Sequence, residues 1–239
     1  MPSFNKQWKV LPHGRVKTVD DRILTVVGDI PMPLGKFPRR MTVVGLSRNR
    51  SAIFSALALG DADMRRVEEV GKPSFLIVPN GHHRLDAHAW KQRYPKLKVM
   101  CPPGAKESVS EAAPVDSTQD IMGDKDVDFV VVEGTGEGEA ALIVRRNGAT
   151  TLIANDVIAN VRHPRGLGGK IIVRLFGFGA KGPQVPRVVK RVMVQDKLKF
   201  AEQLREWSAI PNLRRIIPSH GDVIERPAPA LERMAEELS

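Results

Sequence analysis

Residues 79–88 read PNGHHRLDAH and place His82, His83, Asp86 and His88 within seven positions. Two later stretches carry the same residue types: Asn155-Asp156, after the apolar run Thr150–Ala154, and Ser219-His220-Gly221-Asp222, after Arg215-Ile216-Ile217-Pro218. Neutral imidazole and carboxylate are the ligand types of zinc, iron and manganese. The same groups move protons near neutral pH. The lone cysteine, Cys101, excludes an intrachain disulfide and any cysteine-based zinc site.

The elements that must position these residues follow from the pattern. Phe75–Val78 is a short apolar run stopped by Pro79-Asn80-Gly81, which predicts a buried strand. Arg84–Tyr94 has no Gly or Pro and predicts a helix. Asp63–Val70 predicts a helix with Met64, Val67 and Val70 on one side and Gly71 at its end. Further strands are predicted at Ile23–Val27, Met41–Leu46, Lys98–Met100, Asp128–Val132, Ala140–Val144 and Thr150–Ala154. Gly28-Asp29 reads as a turn, and Pro31, Pro33, Gly35 and Pro38 as a loop. Ser51–Leu59 fits either a strand or a helix start. Asn147-Gly148 signals a type I′ hairpin. Residues 105–124 read as a polar surface crossing. Residues 160–187 read as a long loop with one strand at Ile171–Leu175. Leu198, Ala201, Leu204 and Trp207 mark one face of a helix, and Ala230–Leu238 a terminal one. Ligand sites of open α/β folds lie at the carboxyl ends of strands, and all three polar clusters fall there.

The chain has 239 residues, of which 42% are hydrophobic, enough for a substantial core. No stretch of 18 apolar residues indicates a membrane span. The first residues, MPSFNKQWKVLPHGR, lack an apolar signal core, so a cytoplasmic location is expected. The net charge is +10, without a run of five basic residues, and 5% of residues are aromatic. Few rings are left to stack on bases. The charge therefore reads as a solubilising surface, and nucleic acid is not an expected partner. The glycine-rich GTGEGE at 134–139 lacks a P-loop lysine and carries two glutamates, so it reads as a turn.

The order of the three clusters resembles the metallo-β-lactamase superfamily, in a divergent branch. IANDVIAN looks like the family's aspartate motif, with Asp156 in its place. IIPSHGDVI looks like its C-terminal motif, with His220 as the histidine. The resemblance runs from about Met41 to Glu225 and implies an α/β fold, a four-layer αββα sandwich, as one domain over 1–239. The family pattern H-x-H-x-D-H falls on Asn80, His82, Arg84 and Leu85, and Gly-His-Thr falls on Gly134-Thr135-Gly136. Of the family's ligands this leaves His82, Asp156 and His220 as the implied metal set. His83 and Asp86 are candidates for proton transfer beside it.

That set is too small for two metals. The primary expectation is a divergent protein with at most one divalent metal (zinc, iron or manganese), or none, and weak or no hydrolase activity on a small-molecule ligand. The alternative is an active mononuclear hydrolase of an ester, lactone, thioester or phosphoester, using hydroxide generated at the metal. In a purely structural reading, His82 and His83 cap the helix and Asp86 and His88 lie on its exposed face. Asp156 then only accepts backbone hydrogen bonds in a turn.

Overall fold

The computed structural model describes residues 4–32, 35–164 and 166–239. It divides into two compact units, Met1–Asp29 with Arg40–Asp128, and Ile30–Arg39 with Phe129–Ser239.

The first unit is built on a six-stranded sheet of β1 (Lys17–Asp20), β2 (Ile23–Met32), β3 (Gly35–Leu46), β4 (Arg50–Phe54), β5 (Lys72–Ile77) and β6 (Lys98–Met100), hydrogen-bonded in that order. The β3–β4 pair is antiparallel, while β4–β5 and β5–β6 are parallel. The parallel pairs are bridged by α1 (Asp61–Val70) and α2 (Ala87–Arg93). Met64 and Val67 of α1 and Trp90 of α2 pack with Met41, Ile53 and Leu76 in one buried cluster. Trp90 donates its indole N–H to the Leu57 carbonyl at 3.0 Å, which satisfies a polar group in an apolar core. The N-terminal residues are tied to this unit through Trp8, whose indole donates to Leu59 O at 2.8 Å and whose ring lies 5.3 Å from that of Trp90.

The second unit holds a five-stranded sheet in the order β11 (Ile224–Glu225), β10 (Leu213–Gly221), β9 (Ala149–Asn160), β8 (Ala140–Arg146) and β7 (Val127–Val131). The β8–β9 hairpin closes on Asn147 and Gly148, both at positive φ, as the Asn-Gly pair predicts. Its helices are α4 (Gly166–Phe176), α5 (Arg187–Val192), α6 (Lys197–Ser208) and α7 (Ala228–Glu236). The preceding helix, α3 (Lys106–Ser110), belongs to the first unit. Phe200, Leu204, Trp207, Leu231 and Met234 pack with Leu152 and Ile216 in a second core.

Several sequence expectations are corrected. β2 runs straight through Gly28-Asp29, where Gly28 also bridges His13, so the pair makes no turn. The proline-rich segment is strand on both sides of residues 33 and 34, which lie outside the described residues. Pro38 sits inside β3 and offers its carbonyl as an acceptor. Ser51–Phe54 is strand. Residues 105–124 bury Val109, Ala112, Ala113 and Met122. Ile171–Leu175 is helix, part of α4. Leu198 is 70% exposed, because Phe200 takes the inward position at the start of α6.

Cys101 is fully buried, and burial pushes its thiol up to about 11, with Lys106 opposing. The native protein is expected to resist a maleimide at pH 8, where the group is neutral and enclosed. Full labelling should appear only in denaturant, and mass spectrometry reads both.

Candidate metal centre

The site is best built from His220 outward. Its ring Nδ1 lies 2.7 Å from the Pro38 carbonyl oxygen. A carbonyl only accepts, so Nδ1 carries the proton and a neutral ring keeps its lone pair on Nε2. Nε2 stands 2.8 Å from Asp156 Oδ1. A lone pair and a carboxylate oxygen at that distance repel unless a cation is shared between them. That cation is either a proton on Nε2, giving an imidazolium–carboxylate pair, or a metal ion. The ring is held from the sides by Phe37 and Phe178, with centroids at 4.8 and 5.8 Å.

Asp156 reaches this position through an irregularity in the sheet. β9 does not stop at Asn155-Asp156 as the apolar pattern suggests; it continues to Asn160. In the parallel register with β10, Ala154 pairs with Pro218 and Ala159 pairs with His220. Four residues of β9, 155–158, thus oppose the single residue Ser219. The Asp156 amide donates to Glu139 Oε1 at 2.9 Å, and Glu139 is fully buried. Asn155 is also fully buried, and neither of its amide atoms has a hydrogen-bond partner among the described residues; the same holds for Ser219 Oγ. Unpartnered polar atoms beside an ionisable pair are what a bound water or ligand satisfies.

The turn after β5 decides which histidine is enclosed. Asn80 is buried, and its Oδ1 accepts from the His82 amide at 2.9 Å and the His83 amide at 3.1 Å. This Asx turn leaves His82 exposed and His83 buried. His83 Nδ1 is 2.7 Å from Ser55 Oγ, a buried contact. Ser55 follows β4 with φ at 55°, a left-handed conformation that costs a non-glycine residue about 1–2 kcal/mol. With Nδ1–H donating to that hydroxyl, the lone pair of the neutral His83 ring is on Nε2.

Within the second unit, Asp156 and His220 each offer one ligand atom, 2.8 Å apart, and His83 in the first unit is a ligand type of the same kind. Two imidazoles and a carboxylate suit zinc, iron or manganese. Each ligand has a fixed outer partner, as metal ligands require: Ser55 for His83, Pro38 for His220, and Glu139 for the Asp156 backbone. Ligands of a tetrahedral ion bound at about 2.0–2.1 Å lie about 3.3 Å apart. The Asp156–His220 pair would open by roughly half an ångström to admit one. The donor chemistry of Asp156 and His220 fits a single metal.

The other expected site residues have different surroundings. Asp86 is buried, not exposed, and its Oδ1 accepts from the Asn5 amide at 2.8 Å. His88 Nδ1 lies 3.0 Å from Ala112 O, and its ring stands 5.6 Å from that of Phe4. Arg84 donates to Ser108 O and pairs with Glu111, just past the end of α3, at 3.0 Å, so its charge is balanced. Thr135 donates its hydroxyl to Val132 O within the 134–139 turn. Sequence reasoning missed Ser55, Glu139 and Pro38. Glu139 and Pro38 stood in segments read as plain turn and loop, and Ser55 carried no signal at all.

No family model and no curated protein sequence matches the chain. Among solved structures it is similar to the DIM-1 metallo-beta-lactamase exposed to ceftazidime, at 11% identity and a TM-score of 0.64 over 97% of this chain and 100% of that one. It is similar to the metallo-beta-lactamase FIM-1 from Pseudomonas aeruginosa in the mono-zinc form, at 12% identity, a TM-score of 0.59, and 96% and 97% coverage. A metallo-beta-lactamase from Hirschia baltica gives 14% identity and a TM-score of 0.60 over 95% and 98%. At such identities the likeness is one of fold. The chain has the metallo-β-lactamase fold, the α/β class with two sheets that the resemblance implied.

Gly221, next to His220, has φ at 102°, and a Cβ there would collide with the Asn160 backbone. Gly221→Ala is therefore expected to cost about 2 kcal/mol or more in urea unfolding, and to loosen the strand end that carries His220.

Proposed function

Starting from a metallo-β-lactamase fold, we propose that this protein is a single-metal hydrolase of a small-molecule substrate. The observation that carries the reading is the Asp156–His220 pair, whose 2.8 Å separation requires a shared cation. His83 supplies the third ligand in this assignment, in place of its neighbour His82. The exposure of His82 and the seating of His83 on Ser55 support that exchange.

A divalent metal held there supplies a Lewis acid and an acidified water at neutral pH. The chain's own residues supply orientation. Pro38 and Ser55 hold the two imidazoles by Nδ1, and Phe37 and Phe178 limit rotation of His220. Glu139 fixes the backbone of Asp156. Esters, lactones, thioesters and phosphoesters are the substrate classes that such a centre serves.

One metal, and not two, is favoured by the surroundings of the remaining candidates. Asp86 holds Asn5, Arg84 is bound to Ser108 and Glu111, and Thr135 stands where a histidine would be needed. Asp86 has a structural task in this assignment and is not the proton carrier.

Elemental analysis of untagged protein, expressed with zinc, iron and manganese supplied, tests the reading. About one metal per chain is expected, lost in Asp156→Ala/His220→Ala and retained in His82→Ala. Hydrolysis of one of the four substrate classes should vanish on chelation and return with metal. A wild-type protein without metal, or one whose metal survives the double substitution, would overturn the proposal. Ser55→Ala should keep the fold and lower metal affinity about 10–100-fold, read by competition with a chromophoric chelator.

A further inference from the structure

Residues 157–195 contain no Asp or Glu and eight Lys and Arg, so eight of the ten net positive charges lie in 39 residues. The other 200 carry a net of only +2. The same part of the chain displays apolar side chains. Of the seven large hydrophobic residues that are exposed among those described, five fall between 171 and 198: Ile171, Leu175, Phe176, Val192 and Leu198. Ile171 and Leu175 are 56% and 61% exposed and stand four apart on α4, one row of a helix whose Val173 is buried on the other side. Arg174 adjoins that row, and Arg187, at the start of α5, lies against Gly177 just past the end of α4. Arg162, Lys181 and Arg191 are exposed as well.

We infer that this segment docks the protein on an anionic lipid bilayer, with the α4 side chains Ile171, Leu175 and Phe176 entering the headgroup boundary and the cations at lipid phosphates. A basic amphipathic helix lies in a membrane interface in this way, its affinity summed from buried apolar area and charge attraction. The alternatives fit the surface less well. Two copies of it would repel, each bringing +8. Nucleic acid would reward the cations, but exposed aliphatic side chains gain nothing from a phosphate backbone, and only Phe176 among the five offers a ring to stack. No helix among the described residues is long and apolar enough to cross a membrane, so the attachment is peripheral.

Co-sedimentation of the whole protein with vesicles tests this. The probes are phosphatidylcholine alone and phosphatidylcholine with about one-third phosphatidylglycerol. The protein should bind the anionic vesicles and not the neutral ones, and release as salt rises. Ile171→Ser/Leu175→Ser/Phe176→Ser and Arg174→Glu/Arg187→Glu/Arg191→Glu should each lose at least about tenfold in affinity, with an unchanged Tm because these side chains face solvent. Absence of vesicle binding at low salt would overturn the inference. So would an apolar variant that binds vesicles as tightly as wild type, or wild type that binds DNA more tightly than anionic vesicles; either result would mark a purely electrostatic surface of the kind that takes nucleic acid.

Discussion

The imidazole of His220 is caught between an oxygen that can only accept, on Pro38, and a carboxylate oxygen of Asp156. That constraint fixes the proton on one nitrogen and demands a cation at the other. Much of the local architecture serves it. Pro38 lies inside β3, where a proline has no amide to place and a carbonyl to give. Asp156 comes into range only because β9 carries four residues against one of β10. Gly221 lets the chain leave His220 against the Asn160 backbone, in a conformation that a side chain would strain.

Much of the fold could be read from local signals with a single physical cause. Asn147-Gly148 tolerates two consecutive positive φ values, and the hairpin forms where it stands. The apolar run before Pro79 is β5, and the threefold spacing of Met64, Val67 and Val70 is α1. The misreadings have causes too. Gly28, Pro31 and Pro38 are turn-prone residues, but long strand pairing overrides them within β2 and β3. The glycines at the start of α4 disguised a helix as loop. Leu198 belongs to an apolar series by spacing, yet it sits in the first turn of α6, where Phe200 already fills the inward position.

The site was half legible for a different reason. His220 and Asp156 follow apolar strands, and that context can be seen in one dimension. The choice between His82 and His83 cannot, because it depends on Asn80 bonding two successive amides and turning one ring inward. Ser55 lies 28 positions from the ring that it holds, inside an apolar stretch, and its left-handed backbone leaves no trace in composition. Glu139 was seen only as a charge in a glycine-rich turn, although it is fully buried and holds the Asp156 amide. Groups that orient ligands are brought together by topology, and their residue types are too common to announce them.

None of these features stabilises the fold on its own account. A left-handed serine, a buried imidazole, a carboxylate pressed on a second imidazole and a buried asparagine with both amide atoms unpartnered each oppose folding. Apolar residues of similar volume in place of a buried ionic pair are often neutral or stabilising. Elsewhere each unit has an apolar core, in which leucine, valine and tryptophan pack together. Local rules that break together, beside consistent packing, are the physical mark of a functional site. Around Asp156 and His220 a bound cation would return the stability that the bare residues lack.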